Sequence, residues 1–206
     1  MDHATRKNVI FVDYQNFYHG LHQHHGVKPF RVNMLNLLKE RVYEAGIKDA
    51  EVRVYTGIPD AETDPQGFTT MTRFCDWLRH NGAKVWTNTL RYHQGEDGKL
   101  HATEKGADVR LACELVALAM AGRLEHAVIV SADQDLNQSV KVAKESIREL
   151  GLAPVCFHSV KLSEMSRGID GTNWMCLDKD LVEKHIVQRT EEHAKKQEKQ
   201  ARDCGR

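Results

Sequence analysis

Two periods organise the apolar residues of this chain: short unbroken apolar runs, and longer stretches with an apolar residue every three or four positions. Val9, Ile10, Phe11 and Val12 form a run of the first kind, the pattern of a strand buried on both faces of a parallel sheet. Ala127, Val128, Ile129 and Val130 repeat it. Residues 51–56 alternate into another strand, and 83–89 and 153–157 supply two more. Between them lie helical stretches. Asn33 caps a helix over 34–45 closed by Gly46, a second over 66–81 ends at Gly82, and a third covers 107–121. A fourth over 136–150 stops at Gly151. The turn chemistry of Gly95-Glu96-Asp97-Gly98 predicts a small hairpin or flap over 92–100.

Alternating strands and helices predict the α/β class: a three-layer α/β/α sandwich around a mainly parallel sheet of about five strands. One domain over residues 1–180 accounts for the pattern. Residues 181–206 turn helical and then highly charged, and are expected to form a solvated tail, helical or disordered.

Four acids fall at element ends. Asp13 ends the first apolar run, and Asp133 and Asp135 follow the Ala127 to Val130 run in the segment Ser131-Ala132-Asp133-Gln134-Asp135. In an open parallel sheet the ligand crevice lies beyond the carboxyl ends of the strands, where strand order reverses, so Asp13 and Asp133 can meet there. Asp108 opens a helix whose apolar stripe runs through Leu111, Leu115 and Leu118, which places it on the inward face. A buried carboxylate must be paired, hydrogen-bonded or bound to metal. The helix amino end contributes only about 0.3–1 kcal/mol to an acid, so gathering several of them calls for a divalent cation.

Bulk composition narrows the classes. Lys+Arg and Asp+Glu number 29 each, which argues against nonspecific coating of nucleic acid but not against a local basic groove around an acidic centre. The five cysteines contain no C-x-x-C pair and are expected to be reduced and mostly buried rather than zinc ligands. No apolar run approaches membrane-spanning length and no signal peptide precedes the first strand, so a cytoplasmic protein without membrane contact is expected. His22-Gln23-His24-His25 sits beside a glycine and is expected in a solvated loop, not a zinc site.

Three ordered segments carry a resemblance: Val12-Asp13-Tyr14-Gln15-Asn16, Lys105 to Ala112 (KGADVRLA), and Ser131 to Asp135 (SADQD). Together they resemble the NYN-domain family, PIN-like ribonucleases that include the LabA-like proteins, over roughly residues 8–157. The resemblance implies a Rossmann-like PIN fold, a Mg²⁺ or Mn²⁺ site and endonuclease action on RNA. It implies Asp13, Asp108 and Asp133 as metal-binding acids and Asp135 as a fourth acid or supporting group. It also implies that Asn16 orients a ligand water or a phosphate. Glu114 stands where related sequences often carry Asp, and its six-residue offset from Asp108 takes it off that helical face. Glu104 joins the site only if the turn before Asp108 is helical.

The expected reaction is metal-assisted in-line hydrolysis of an RNA phosphodiester. Tyr14, Lys105, Arg110 and Ser131 are the expected substrate contacts, with Tyr18, Arg91 and Tyr92 at the rim. Single-stranded RNA suits a shallow cleft best, and a homodimer building a longer groove is compatible with the resemblance. Tyr14 and Tyr18 have a plainer reading as residues that pack their helix, and Ser131 or Asp133 as helix caps. Two rivals remain: a catalytically silent RNA-binding or regulatory module on the same fold, and a phosphohydrolase or nucleotide-binding protein on a similar sheet. The latter lacks a G-x-x-x-x-G-K-[ST] loop, a G-x-G-x-x-G turn and a D-x-D first acid.

Overall fold

The computed structural model describes residues 5–95 and 97–187. In chain order, β1 (Lys7–Asp13) leads directly into α1 (Tyr14–His25), followed by α2 (Met34–Glu44), β2 (Glu51–Ile58) and α3 (Pro65–His80). Next come β3 (Lys84–Thr89), β4 (Arg91–Gln94), β5 (Leu100–Thr103), α4 (Ala107–Met120) and β6 (Leu124–Val130). The chain continues through α5 (Asn137–Glu149), β7 (Cys156–Lys161), β8 (Asn173–Cys176) and α6 (Lys179–Lys184).

Six strands form one parallel sheet in the order β3-β2-β1-β6-β7-β8. The sheet has one strand more than expected. β8 is short and lacks alternation, and β7 starts later than the expected 153–157, past Pro154. β4 and β5 pair antiparallel as the expected hairpin.

The continuous apolar runs have the predicted consequence, because successive residues feed opposite faces. Ile10 and Val12 join a core with α1, α2, α3 and α6, whereas Val9 and Phe11 join a second core with α4 and α5. The result is an α/β/α sandwich, as predicted.

Three placements differ from expectation. His22, His24 and His25 form the last turn of α1, closed by Gly26 at φ 65°, rather than a loop. The folded body also extends past residue 180: Leu181 and Val182 of α6 are buried, and Ile186 bridges to Val32. Residues 188–206, most of the expected tail, lie outside the described residues. Of the described cysteines only Cys75 is buried, and Cys113 and Cys156 are exposed. No helix among the described residues is long and apolar enough to cross a membrane.

Candidate functional site

Strand order reverses between β1 and β6: β1 is followed outward by β2 and β3 on one side, β6 by β7 and β8 on the other. The crevice beyond the carboxyl ends at this point is where a ligand is expected. Val12 pairs with Val130, so Asp13 and Ser131 leave the sheet side by side.

Hydrogen bonds tie the two strand ends together. Asp13 caps α1, accepting the Asn16 amide on Oδ1 at 3.1 Å and the Ser131 hydroxyl on Oδ2 at 3.1 Å. The Ser131 hydroxyl oxygen accepts the Asp133 amide at 3.1 Å, and Asn16 Oδ1 accepts the Ala132 amide at 2.8 Å. Asp133 in turn caps the 3-10 turn at Gln134–Leu136, accepting the Asp135 amide at 2.9 Å. Ser131 is fully buried and Asn16 uses its carbonyl oxygen on backbone, so both position the site from behind.

A cleft of about 570 Å³ opens here, and Asp13, Asn16, Glu104, Lys105, Asp108 and Asp133 line it. The buried stripe of α4 is Ala107, Leu111, Leu115 and Ala119, which puts Asp108 one position off it and exposed, correcting the inward placement expected from periodicity. The more enclosed acid is instead Asp13, which is half-buried. Burial raises its carboxyl above the ordinary value; the Asn16 amide and Ser131 hydroxyl pull it back, and the charges of Asp133 and Asp108 push it up again.

Glu104 is the acid that sequence reasoning admitted only on the condition of a helical turn before Asp108. The segment before Asp108 is not helical: Gly106 takes φ 96°, which a residue with a side chain rarely adopts, and α4 starts only at Ala107. Glu104 nevertheless reaches the cleft. Burial, reinforced by Asp13 and Asp108 against the opposing pull of the Gly57 amide, raises its carboxyl to about 7. Its Oε2 is buried without a hydrogen-bond partner among the described residues. The signal available in sequence was its place beside Lys105-Gly106, which periodicity could not weigh.

Other expected residues do not gather here. Tyr14 is 3% exposed and packs on Phe74 with ring centroids 4.9 Å apart, behind the cleft. Arg110 lies over the Trp86 ring at 5.6 Å, and Asp135 is exposed outside the cleft lining. Tyr18 and Tyr92 are likewise outside this lining. Glu114 bonds Arg53 and Tyr55, away from the cleft. Among the described residues Lys105 is the one lysine or arginine in the lining, joined by His19 and His24 of α1.

The donor set is one of hard carboxylate oxygens with an unpartnered buried oxygen among them, which fits a hard divalent cation. Among the described residues no three His, Cys, Asp or Glu side chains stand close enough together to hold a metal ion without rearrangement. Asp108 is at the open rim, where its side chain has room to turn.

The sequence pattern that defines the NYN domain matches residues 7–156. Among solved structures, a protein of unknown function from Vibrio parahaemolyticus RIMD 2210633 is similar in fold, with a TM-score of 0.54 at 16% identity over 87% of this chain and 98% of that one. No curated protein matches the chain.

Proposed function

The chain belongs to the NYN domain family, whose members are generally nuclease-like, and from that premise we propose that it is a metal-dependent endoribonuclease acting on single-stranded RNA. One observation carries the reading. Asp13 is fixed at the switch point by hydrogen bonds from the first turn of α1 and from Ser131 at the end of β6, with Glu104, Asp108 and Asp133 around the same cleft.

Asp13, Asp108 and Asp133 would hold Mg²⁺ or Mn²⁺, with Glu104 as a further oxygen donor. Burial raises the Asp13 and Glu104 carboxyls, and the like charges around them add to that rise; a cation placed among these acids relieves the repulsion. A bound ion supplies Lewis-acid polarisation of the scissile phosphate and lowers the pKa of a bound water.

The protein's own groups do the rest. Ser131 and Asn16 keep Asp13 and the Ala132–Asp133 backbone in place, so the carboxylates need little reorganisation. The Asp135 amide orients the Asp133 carboxylate. Lys105 offers a point charge to the substrate phosphate at the rim. The first turn of α4 carries no side-chain cap, and its free amides favour an anion at the same rim.

The test is cleavage of labelled single-stranded and structured RNAs by the purified chain in Mn²⁺, Mg²⁺ or EDTA, beside Asp133→Asn. Cleavage that needs both metal and Asp133 supports the reading. A second reading, a catalytically silent RNA-binding module, draws on the carboxylates not converging as they stand. RNA bound but never cut in any metal favours it.

A further inference from the structure

Beside the acidic cleft lies a second cavity of about 530 Å³, between α1, the start of α3 and the carboxyl end of β2. Gln15 and His19 stand in the walls of both cavities, so the exposed edge of α1 divides them. Its size falls within the range of small-ligand sites.

The chemistry of its walls differs from that of the cleft. Among the described residues no lysine or arginine lines it and Asp64 does, which disfavours a phosphate group there. Tyr18, Phe30 and Leu90 give it apolar surfaces, and Gln15 and Gln66 supply amides. Phe30 is 45% exposed, yet it is braced edge-on by Tyr18 at 5.8 Å and Phe74 at 5.4 Å. A ring held in this way loses little freedom when something stacks on it.

Tyr14 adds an independent sign. Its ring belongs to the core and it forms part of the cavity wall, but its buried hydroxyl has no hydrogen-bond partner. Buried polar groups are nearly always paired. A phenol O–H can both donate and accept. The cavity therefore suits a flat, neutral, aromatic group with a polar edge, attached to something that crosses the Gln15–His19 edge towards the acids.

We infer that this cavity is a nucleobase pocket: it takes the base of the nucleotide flanking the phosphate held in the acidic cleft, stacked on Phe30 with Tyr18 bracing that ring edge-on, and with its polar edge towards the Tyr14 hydroxyl and the Gln66 amide. The inference rests on the RNA half of the proposed function and does not need cleavage. Gly57 links the two sites, since it lines the pocket and a Cβ placed on it would lie 3.3 Å from Glu104 Cγ.

The test is fluorescence anisotropy of a labelled single-stranded octanucleotide RNA with the full chain in EDTA, compared with the same backbone carrying abasic residues. Wild type, Tyr18→Ala, Phe30→Ala and Tyr14→Phe are measured, with thermal melts to confirm folding. Wild type is expected to bind the base-containing strand more tightly than the abasic one. Tyr18→Ala and Phe30→Ala are expected to weaken only the base-containing strand, by about 5- to 150-fold, the range of one base–aromatic stack. Tyr14→Phe, which keeps the ring, weakens it less. If Phe30→Ala does not fold, Phe30→Leu replaces it, keeping bulk but not the aromatic face. Equal affinity for the two strands, variants that weaken both alike or neither, or no RNA binding at all, overturns the pocket. Cleavage in Mn²⁺ is read separately: a wild type that prefers bases yet cuts nothing overturns the nuclease reading and leaves the pocket standing.

Discussion

The Ser131 hydroxyl donates to Asp13 Oδ2 at 3.1 Å across 118 positions of sequence, joining the ends of two adjacent parallel strands at the point where strand order reverses. That bond lowers the proton affinity of a carboxyl that burial raises. Ser131→Ala removes the donor and lets the Asp13 carboxyl rise further. Asp13 must be ionised to hold a cation, so the rise of cleavage rate with pH moves to higher pH. A hydrogen bond to a charged group is worth about 1.5–3 kcal/mol, so kcat/KM is expected to fall about tenfold or more on the acid side and less at pH 8. Parallel pH profiles for wild type and variant would count against this role for Ser131.

Asp13→Asn separates stability from chemistry. Asn also caps helices well, so the start of α1 survives. The charge that burial and the neighbouring acids penalise disappears, and the metal-free variant is expected to melt higher than wild type at pH 8. Cleavage is expected to drop by about a hundredfold or more, because several kcal/mol of metal-derived stabilisation go with the ligand. Melting in EDTA and in Mn²⁺ checks both halves: Mn²⁺ should raise Tm for wild type and not for Asp13→Asn. A variant that melts lower than wild type in EDTA would show that the Asp13 charge is structural.

The sequence showed most of this arrangement where the signal was local. Unbroken apolar runs marked β1 and β6, and an acid just past each run marked the site, because a strand covered on both faces has no reason to carry a carboxylate except at its end. Periodicity failed where the chain is not periodic. Glu104 sits before a left-handed glycine, and its approach to Asp13 depends on how β5 delivers the chain over β2. Asp108 was misplaced by one position: a single residue step turns a helix by a quarter or more of its circumference, enough to move a side chain from the stripe to the rim. Tyr14 follows Asp13 directly, yet it faces the core while Gln15 and Asn16 face the cleft, because α1 begins at Tyr14 without a linker. β8 has only four residues with one of them buried, too short a pattern to read.

Glu114 serves the fold rather than the cleft. It accepts Arg53 Nη1 and the Tyr55 hydroxyl, each at 2.5 Å, and Arg53 also meets Glu51 at 2.6 Å. Glu114→Ala leaves the Tyr55 hydroxyl without its partner and Arg53 with Glu51 alone. The expected cost is about 2–4 kcal/mol, less than for a buried pair broken outright because Glu51 remains. Denaturant melts measure that cost, and kcat/KM of the folded fraction is expected to stay unchanged. Loss of activity without loss of stability would place Glu114 in the site after all.

Glu104 gives the metal-free protein a stability that depends on pH with a definite sign. Burial, helped by Asp13 and Asp108, raises its folded-state carboxyl to about 7 from an ordinary 4.5, so between those values the folded chain keeps a proton that the unfolded chain releases. Its contribution is therefore fully present below about 4.5 and is lost as pH rises through 7. Asp13, also raised, acts in the same direction. The expected loss from Glu104 between pH 5 and 8 is about 1–2 kcal/mol, cut down from the full 1.36 kcal/mol per unit because solvent reaches part of the carboxyl. Glu104→Gln removes the titration and should flatten the fall of Tm with pH in EDTA. Mn²⁺ competes with that proton, so its stabilising effect should grow from pH 6 to pH 8 in wild type and grow less in Glu104→Gln. Equal pH slopes for the two proteins in EDTA would mean that the Glu104 carboxyl is ionised in the folded chain, and that its unpartnered oxygen is satisfied without a proton or a cation.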